Sequence, residues 1–160
     1  MDRNAFEARV TALWPGMVRV AACVVRDRGD AEDAAAQAVL RCYQRLATLR
    51  REEAFDAWIM RACVNEARSI LRRRGRVELR DEWPNEPAAV PPDPPTLGPA
   101  LMRLPRKDRL ALTLMYYENQ SLEDIARVLA VPRGTAASRI SRARKKLRAV
   151  LEEEGLDEYR

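Results

Sequence analysis

Apolar residues along this chain recur at spacings of three and four, and no stretch alternates as a strand would, so the pattern predicts helices throughout. Phe6, Val10, Leu13 and Trp14 fall roughly on one stripe of a first helix from about Asn4 to Arg26, which Pro15 is expected to shorten or kink. A second helix is predicted to start at Asp30 as N-cap. Glu32 and Asp33 sit in its first turn, where the helix dipole favours anions. It runs to about Ala47 with Ala35, Val39, Cys42, Tyr43 and Leu46 inward. The third starts near Glu52 and passes through Phe55, Ile59, Ala62, Cys63, Glu66 and Ile70 to about Arg74.

The C-terminal part reads as a short helix near Thr96–Leu104 and another from Pro105 or Arg106 to about Glu118. A closely spaced pair follows, Ser121–Ala130 and Arg133 to about Glu154. Ser121 with Asp124 is a capping-box-like start, and Leu122, Ile125, Ala126 and Leu129 form an inward stripe. The turn is short, Ala130-Val131-Pro132, and Pro132 stands where a missing amide does no harm. In the last helix Ala136, Ile140, Ala143, Leu147 and Val150 make a buried stripe. Its other faces carry Arg133, Arg139, Arg142, Arg144, Lys145, Lys146 and Arg148, with no acidic residue between Arg133 and Val150. One-signed charge on the second helix of a tight pair fits a helix-turn-helix that reads the major groove. A solvated charged face is the plainer alternative. After Leu151 the sign reverses at Glu152, Glu153, Glu154, Asp157 and Glu158, a tail expected to lie off the DNA.

Between the two parts lies WPNEPAAVPPDPPTLGP, which holds seven of the ten prolines. Proline lacks the amide donor and constrains the residue before it, so this stretch reads as an extended, flexible linker. The predicted architecture is all-α: two small helical domains, residues 1–81 and 99–160, joined by a Pro-rich linker at 82–98.

Composition narrows the chemistry. In 160 residues the charge is +5 and the pI about 9.5, which suits a polyanionic partner. There is no histidine, so arrangements built on a histidine base are excluded and the chain is not expected to be an enzyme. Cys23, Cys42 and Cys63 form no CxxC pair; they read as buried thiols in a reducing cytoplasm, with no metal site and no cofactor expected. The charged N-terminus is not a signal peptide, and no apolar run reaches the ~18 residues of a membrane span.

Two separate stretches carry a family resemblance. LPRKDRLALTLMYYENQSLEDIARVLAVPRGTAASRISRARKKL resembles region 4 of the extracytoplasmic-function (ECF) sigma factors of the sigma-70 family, through Leu104-Pro105, Ile125-Ala126, Gly134-Thr135, Ser138-Arg139 and Arg142-Ala143-Arg144. Asp30-Ala31-Glu32-Asp33, Tyr43 and AFDAWIMRACVNEARSILRRR resemble region 2, through Phe55, Trp58, Arg61 and Asn65. The order and the intervening linker match the family too. The resemblance implies a cytoplasmic sigma factor that binds core RNA polymerase, directs it to promoters and helps open the minus-10 element. Region 2, a three- to four-helix domain, would dock on the clamp helices; region 4 would grip the flap and read the minus-35 element. The linker would thread toward the active-site and RNA-exit channels. An anti-sigma partner is a further expectation.

Carried over residue by residue, the minus-35 contacts would be Arg133, Thr135, Ser138, Arg139, Ser141, Arg142 and Lys145. The minus-10 contacts would be Leu49, Phe55, Trp58, Arg61, Asn65, Arg68 and Arg72, with the loop from Leu46 to Phe55 as pocket for a flipped base. Trp58 also reads as core, and Asn65 as an ordinary surface hydrogen bonder. Arg73, Arg74 and Arg76 would add phosphate contacts. Asp33, Gln37, Arg41 and Gln44 would meet the clamp, with plain solvent exposure as the alternative. The chain departs from the family pattern at Ala36 and Gln37, at Leu49 where an aromatic is common, and at Ala137 where a basic residue is frequent. These departures bear on clamp contact, base stacking and minus-35 preference. A helix-turn-helix regulator acting without polymerase, and a sigma-like interaction protein without promoter activity, are the competing readings.

Overall fold

The computed structural model describes residues 1–74 and 97–153, and within them the regular structure is helical. α1 spans Arg3–Ala22, α2 Arg28–Gln44 and α3 Phe55–Arg73; α4 spans Leu97–Met102, α5 Arg106–Tyr116, α6 Leu122–Leu129 and α7 Arg133–Glu153. Two short 3-10 turns, Leu46–Thr48 and Glu52–Ala54, join α2 to α3. Most of the proposed linker and the end of the acidic tail lie outside the described residues. The last two linker positions, Leu97 and Gly98, begin α4.

α1 starts with Asp2, whose carboxylate accepts from the Ala5 amide at 2.8 Å. It continues through Pro15, which the sequence reading expected to shorten or kink it. An interior proline costs a helix about 3 kcal/mol. Here burial of Phe6, Met17, Val20 and Ala21 on both sides of it outweighs that cost.

Two expectations for α2 are corrected. Its N-cap is Asp27, whose carboxylate accepts from Gly29 at 2.6 Å, so the helix starts three residues earlier than expected. Asp30 is instead buried inside the first turn and accepts from Arg74 at 2.5 Å. A buried carboxylate needs such a partner, and the helix dipole favours it there. Tyr43, expected inward, is 45% exposed, as is Leu40 at 49%. The reason is the width of the contact. The buried stripe of α2 is Ala31, Ala34, Ala35, Ala38 and Cys42, small residues that let α1 and α3 come close and leave bulky side chains at the flank. Tyr43 covers the edge, its ring 5.4 Å from Phe6.

In the second unit Ser121 caps α6 as expected, its hydroxyl accepting from Asp124 at 3.1 Å. Ala130 ends α6 in the left-handed region at φ 56°, and its amide and that of Val131 close the last turn. The buried stripe of α7 is Ala136, Ile140, Ala143, Leu147 and Leu151, with Val150 only half-buried. The step from Leu147 to Leu151 keeps to one face of a straight helix. α4, α5 and α7 enclose a small core of their own around Leu101, Leu104, Leu112 and Leu147.

The larger core does not stop at the boundary between the two units. Phe55, Ile59, Cys63, Ala67 and Leu71 of α3 belong to one apolar cluster with Leu110 and Leu114 of α5 and Ile125, Val128 and Leu129 of α6. α6 packs across α3, and α5 touches α1.

Candidate nucleic-acid interface

α7 is a 21-residue rod about 30 Å long. Arg133, Thr135, Ser138, Ser141, Arg142 and Lys145 are all exposed on it. Arg133 is also tied back to α6, 2.8 Å from the Glu123 carboxylate. That carboxyl is held below its ordinary value, first by a hydrogen bond from its own backbone amide and then by Arg133. Ser141 and Lys145 border a groove of about 600 Å³ between α7 and the α5–α6 turn, floored by Met115, Leu122, Ile125 and Ile140. Arg142 lies outside that groove. Lys146, read from sequence as part of the basic face, binds the buried Asp108 carboxylate of α5 at 2.7 Å and so fastens α7 to its own domain. Arg139 is half-buried, with its charge felt at Arg68 of α3. That charge, after burial itself, holds the Arg68 guanidinium below its ordinary value.

On the other unit the structure brings Leu49, Trp58 and Arg61 together. They line a pocket of about 300 Å³ with Thr48, Arg50 and Arg51 from the loop before α3. Phe55 lies beneath this pocket and is fully buried, edge-on to Phe6 at 5.7 Å and capped by the Arg9 guanidinium 4.9 Å above its ring. Its place is to support Trp58, whose ring centroid is 6.1 Å away, and not to touch a ligand in this state. Asn65 and Arg72 are exposed further along α3, on the helical face that Arg61 and Arg68 share, and outside the pocket.

Asp33, Gln37 and Arg41 meet in a polar cleft of about 400 Å³ between α2 and α3, together with Glu66, Arg73 and Arg74. Arg41 is not free there: it pairs with Glu66, which is 8% exposed. Gln44 is exposed outside the cleft at the end of α2. Exposed Leu40 and Tyr43 flank this face; sequence reasoning passed over Leu40 and read Tyr43 as inward. Their signal was an apolar residue one position off the small-residue stripe. Also missed were Arg50 and Arg51, which flank the pocket as part of an unremarkable basic loop, and Arg127, whose part in that pocket no local pattern could disclose.

Residues 10–77 match the profile described as sigma-70 region 2, and residues 97–147 that of sigma-70, region 4. The RNA polymerase sigma-H factor of Pseudomonas aeruginosa is 30% identical, over 94% of this chain and 88% of that protein. The ECF RNA polymerase sigma factor SigM of Mycobacterium tuberculosis is 32% identical, over 94% and 79%. The ECF RNA polymerase sigma-E factor of Escherichia coli is 30% identical, over 90% and 85%. Among solved structures, the sigma factor RpoE of Bartonella quintana, in complex with the anti-sigma factor NepR, superposes with TM-score 0.73 at 24% identity, covering 92% of this chain and 97% of that one. CnrH in complex with the cytosolic domain of CnrY gives 0.69 at 23%, covering 95% and 90%. These two likenesses concern the fold.

Proposed function

The chain belongs to the ECF sigma factors of the sigma-70 family, non-catalytic subunits that direct RNA polymerase to promoters for transcription initiation, and from that membership we propose how its surfaces divide the work. The exposed face of α7 reads the minus-35 element. Arg142, Ser138 and Ser141 meet base edges, and Arg133, Thr135 and Lys145 meet phosphates. The half-buried Arg139 adds a further phosphate contact beside them. The pocket of Leu49, Trp58 and Arg61 takes an unstacked minus-10 base. Asn65, Arg68 and Arg72 carry the strand onward along α3, and Phe55 supports the pocket from below. The α2 face with Asp33, Gln37, Arg41 and Gln44 meets the polymerase clamp, Leu40 and Tyr43 add apolar contact, and region 4 meets the flap. The site of action is the cytoplasm, and an anti-sigma factor covers these surfaces when the protein is off duty. Crystallised relatives in complexes with such factors support that last element.

The observation that carries the assignment is the presence, in one chain, of both matched regions with a basic, exposed second helix in the helix-turn-helix. Run-off transcription with core polymerase over genomic fragments tests it. The expected result is transcripts from a discrete set of fragments that share spaced minus-35 and minus-10 elements. No transcript above core alone would refute it.

A further inference from the structure

The loop that walls one side of the Trp58 pocket has little local support. Thr48, Leu49, Arg50 and Arg51 line the pocket from the loop, and Ala57, Trp58 and Arg61 line it from α3. The 3-10 turns Leu46–Thr48 and Glu52–Ala54 shape the loop, and among the described residues neither turn nor α3 begins with a side-chain cap. A helix start without a cap leaves its first amides unserved by a side chain and its entry angle loosely fixed. The restraint comes instead from α1. The Arg9 guanidinium donates through one nitrogen to the Glu52 carbonyl at 3.2 Å and through another to the Asp56 carboxylate at 2.5 Å. Its carbon stands 4.9 Å from the centroid of the Phe55 ring. One side chain thus grips the last turn of the loop, the first turn of α3 and the ring between them. Phe6, three residues earlier on α1, meets the same ring edge-on at 5.7 Å. Arg9 itself does not line the pocket.

We propose, on the strand-binding role given to this pocket above, that Arg9 is a positioning residue for it: Arg9 touches no base and sets where the loop stands against Trp58. Glu52 directly follows Arg51 and Asp56 directly precedes Ala57, so both hydrogen bonds act on residues next to the pocket walls. A base stacked on Trp58 is held well only while Leu49, Arg50 and Arg51 stay within reach of its edge. A freed loop would have to be ordered by the strand itself, and binding would carry that cost. The guanidinium suits the task because its planar fork serves two acceptors while lying over a ring. A lysine could keep a charge opposite Asp56 but could not make all three contacts.

Holoenzyme assembled with the wild type, Arg9→Lys or Arg9→Met is tested for binding to fluorescent single strands that cover the minus-10 element of a promoter found by run-off transcription. Each nucleotide in turn is replaced by an abasic one. With the wild type, one position is expected to lose at least about fivefold in affinity, the low end of what one base stacked on an aromatic side chain is worth. With either variant the intact strand should bind as weakly as that abasic strand, and the penalty at that position should fall below about twofold. Penalties elsewhere, binding of a duplex minus-35 fragment and holoenzyme formation should stay as in the wild type. In the free chain, amide hydrogen exchange across residues 46–57 should quicken at least about fivefold in both variants, with α7 unchanged. Arg9→Lys keeps the positive charge, so its loss of the penalty separates geometry from charge. Full retention of the penalty in both variants would overturn the role of Arg9. So would an equal loss at every position, or a loss that tracks reduced holoenzyme formation, the marks of a merely structural tie. A wild type with no position sensitive to abasic replacement would mean that the pocket holds no base, and the positioning role would fall with it.

Discussion

Arg142 and Lys145 stand three residues apart on α7, both exposed, and they separate the two ways a basic helix meets DNA. A guanidinium can bridge a guanine edge with two hydrogen bonds, worth about 1–3 kcal/mol of discrimination, whereas an ammonium acts on phosphate as a point charge. Arg142→Ala is expected to flatten the ranking of promoters in a binding panel. Lys145→Ala should weaken all of them alike and lower the salt slope by about 1. Arg41 shows a different duality. It lies on the proposed clamp face, yet it also neutralises the buried Glu66. Its own side chain is 60% exposed, which discounts the pair, so Arg41→Ala should destabilise the fold by about 1–3 kcal/mol in urea titration. Gln37→Ala on the same face should leave stability unchanged. Loss of core binding in Arg41→Ala alone would then trace to folding and not to the clamp.

Among the elements, α7 most closely follows its sequence pattern. Its small and branched apolar residues recur at helical spacing, and the short turn before it leaves little freedom in how it meets α6. Gly134 is the exception in its first turn. No neighbour lies within 4 Å of where a Cβ would stand, so packing does not require a glycine there. Gly134→Ala should therefore stabilise the free chain by about 0.5–1 kcal/mol in thermal unfolding. A matching loss of promoter affinity would mean that the DNA backbone approaches at this point. α2 was less legible. Its register followed from its small residues rather than its large ones. Aspartates at 27 and 30 both look like caps, and only the Asp30–Arg74 pairing tells which one is drawn inside. Pro15 misleads for a similar reason: a local rule against proline gives way to burial along the rest of α1.

For the whole molecule, burial of thiols gives a pH signature. Burial pushes the Cys42 thiol from its ordinary 9.0 up to about 12, against the opposing effect of Arg45, and pushes Cys63 and Cys23 upward as well. Below pH 9 the thiols are neutral in both folded and unfolded chains and stability is unaffected. Above it the unfolded chain ionises while the folded one resists, so stability falls as pH rises from 9 toward 12. Chemical denaturation at pH 8 and 10 should show a larger drop for wild type than for Cys42→Ala. Equal drops would mean that Cys42 is not shielded in solution.

The amino-acid sequence determined the helices, the helix-turn-helix with its Ser121 cap and basic second helix, and the family to which both halves belong. The helices and their caps depend on residues near one another in the chain, through periodicity, capping and proline placement, and local physics suffices to read them; the family rests on the resemblance of two motif-bearing stretches. The sequence could not say which charged side chains are bound and which are free. Lys146 is held by Asp108, Arg41 by Glu66 and Arg19 by Glu118, while Arg139 is half-buried. Nor could it say that Gly16 makes room for a carboxylate a hundred residues away, or that Arg127 borders the Trp58 pocket. Those facts depend on which surfaces meet after the helices form. Buried charge is tolerated only where a partner arrives from elsewhere in the chain, and only the tertiary structure supplies that partner.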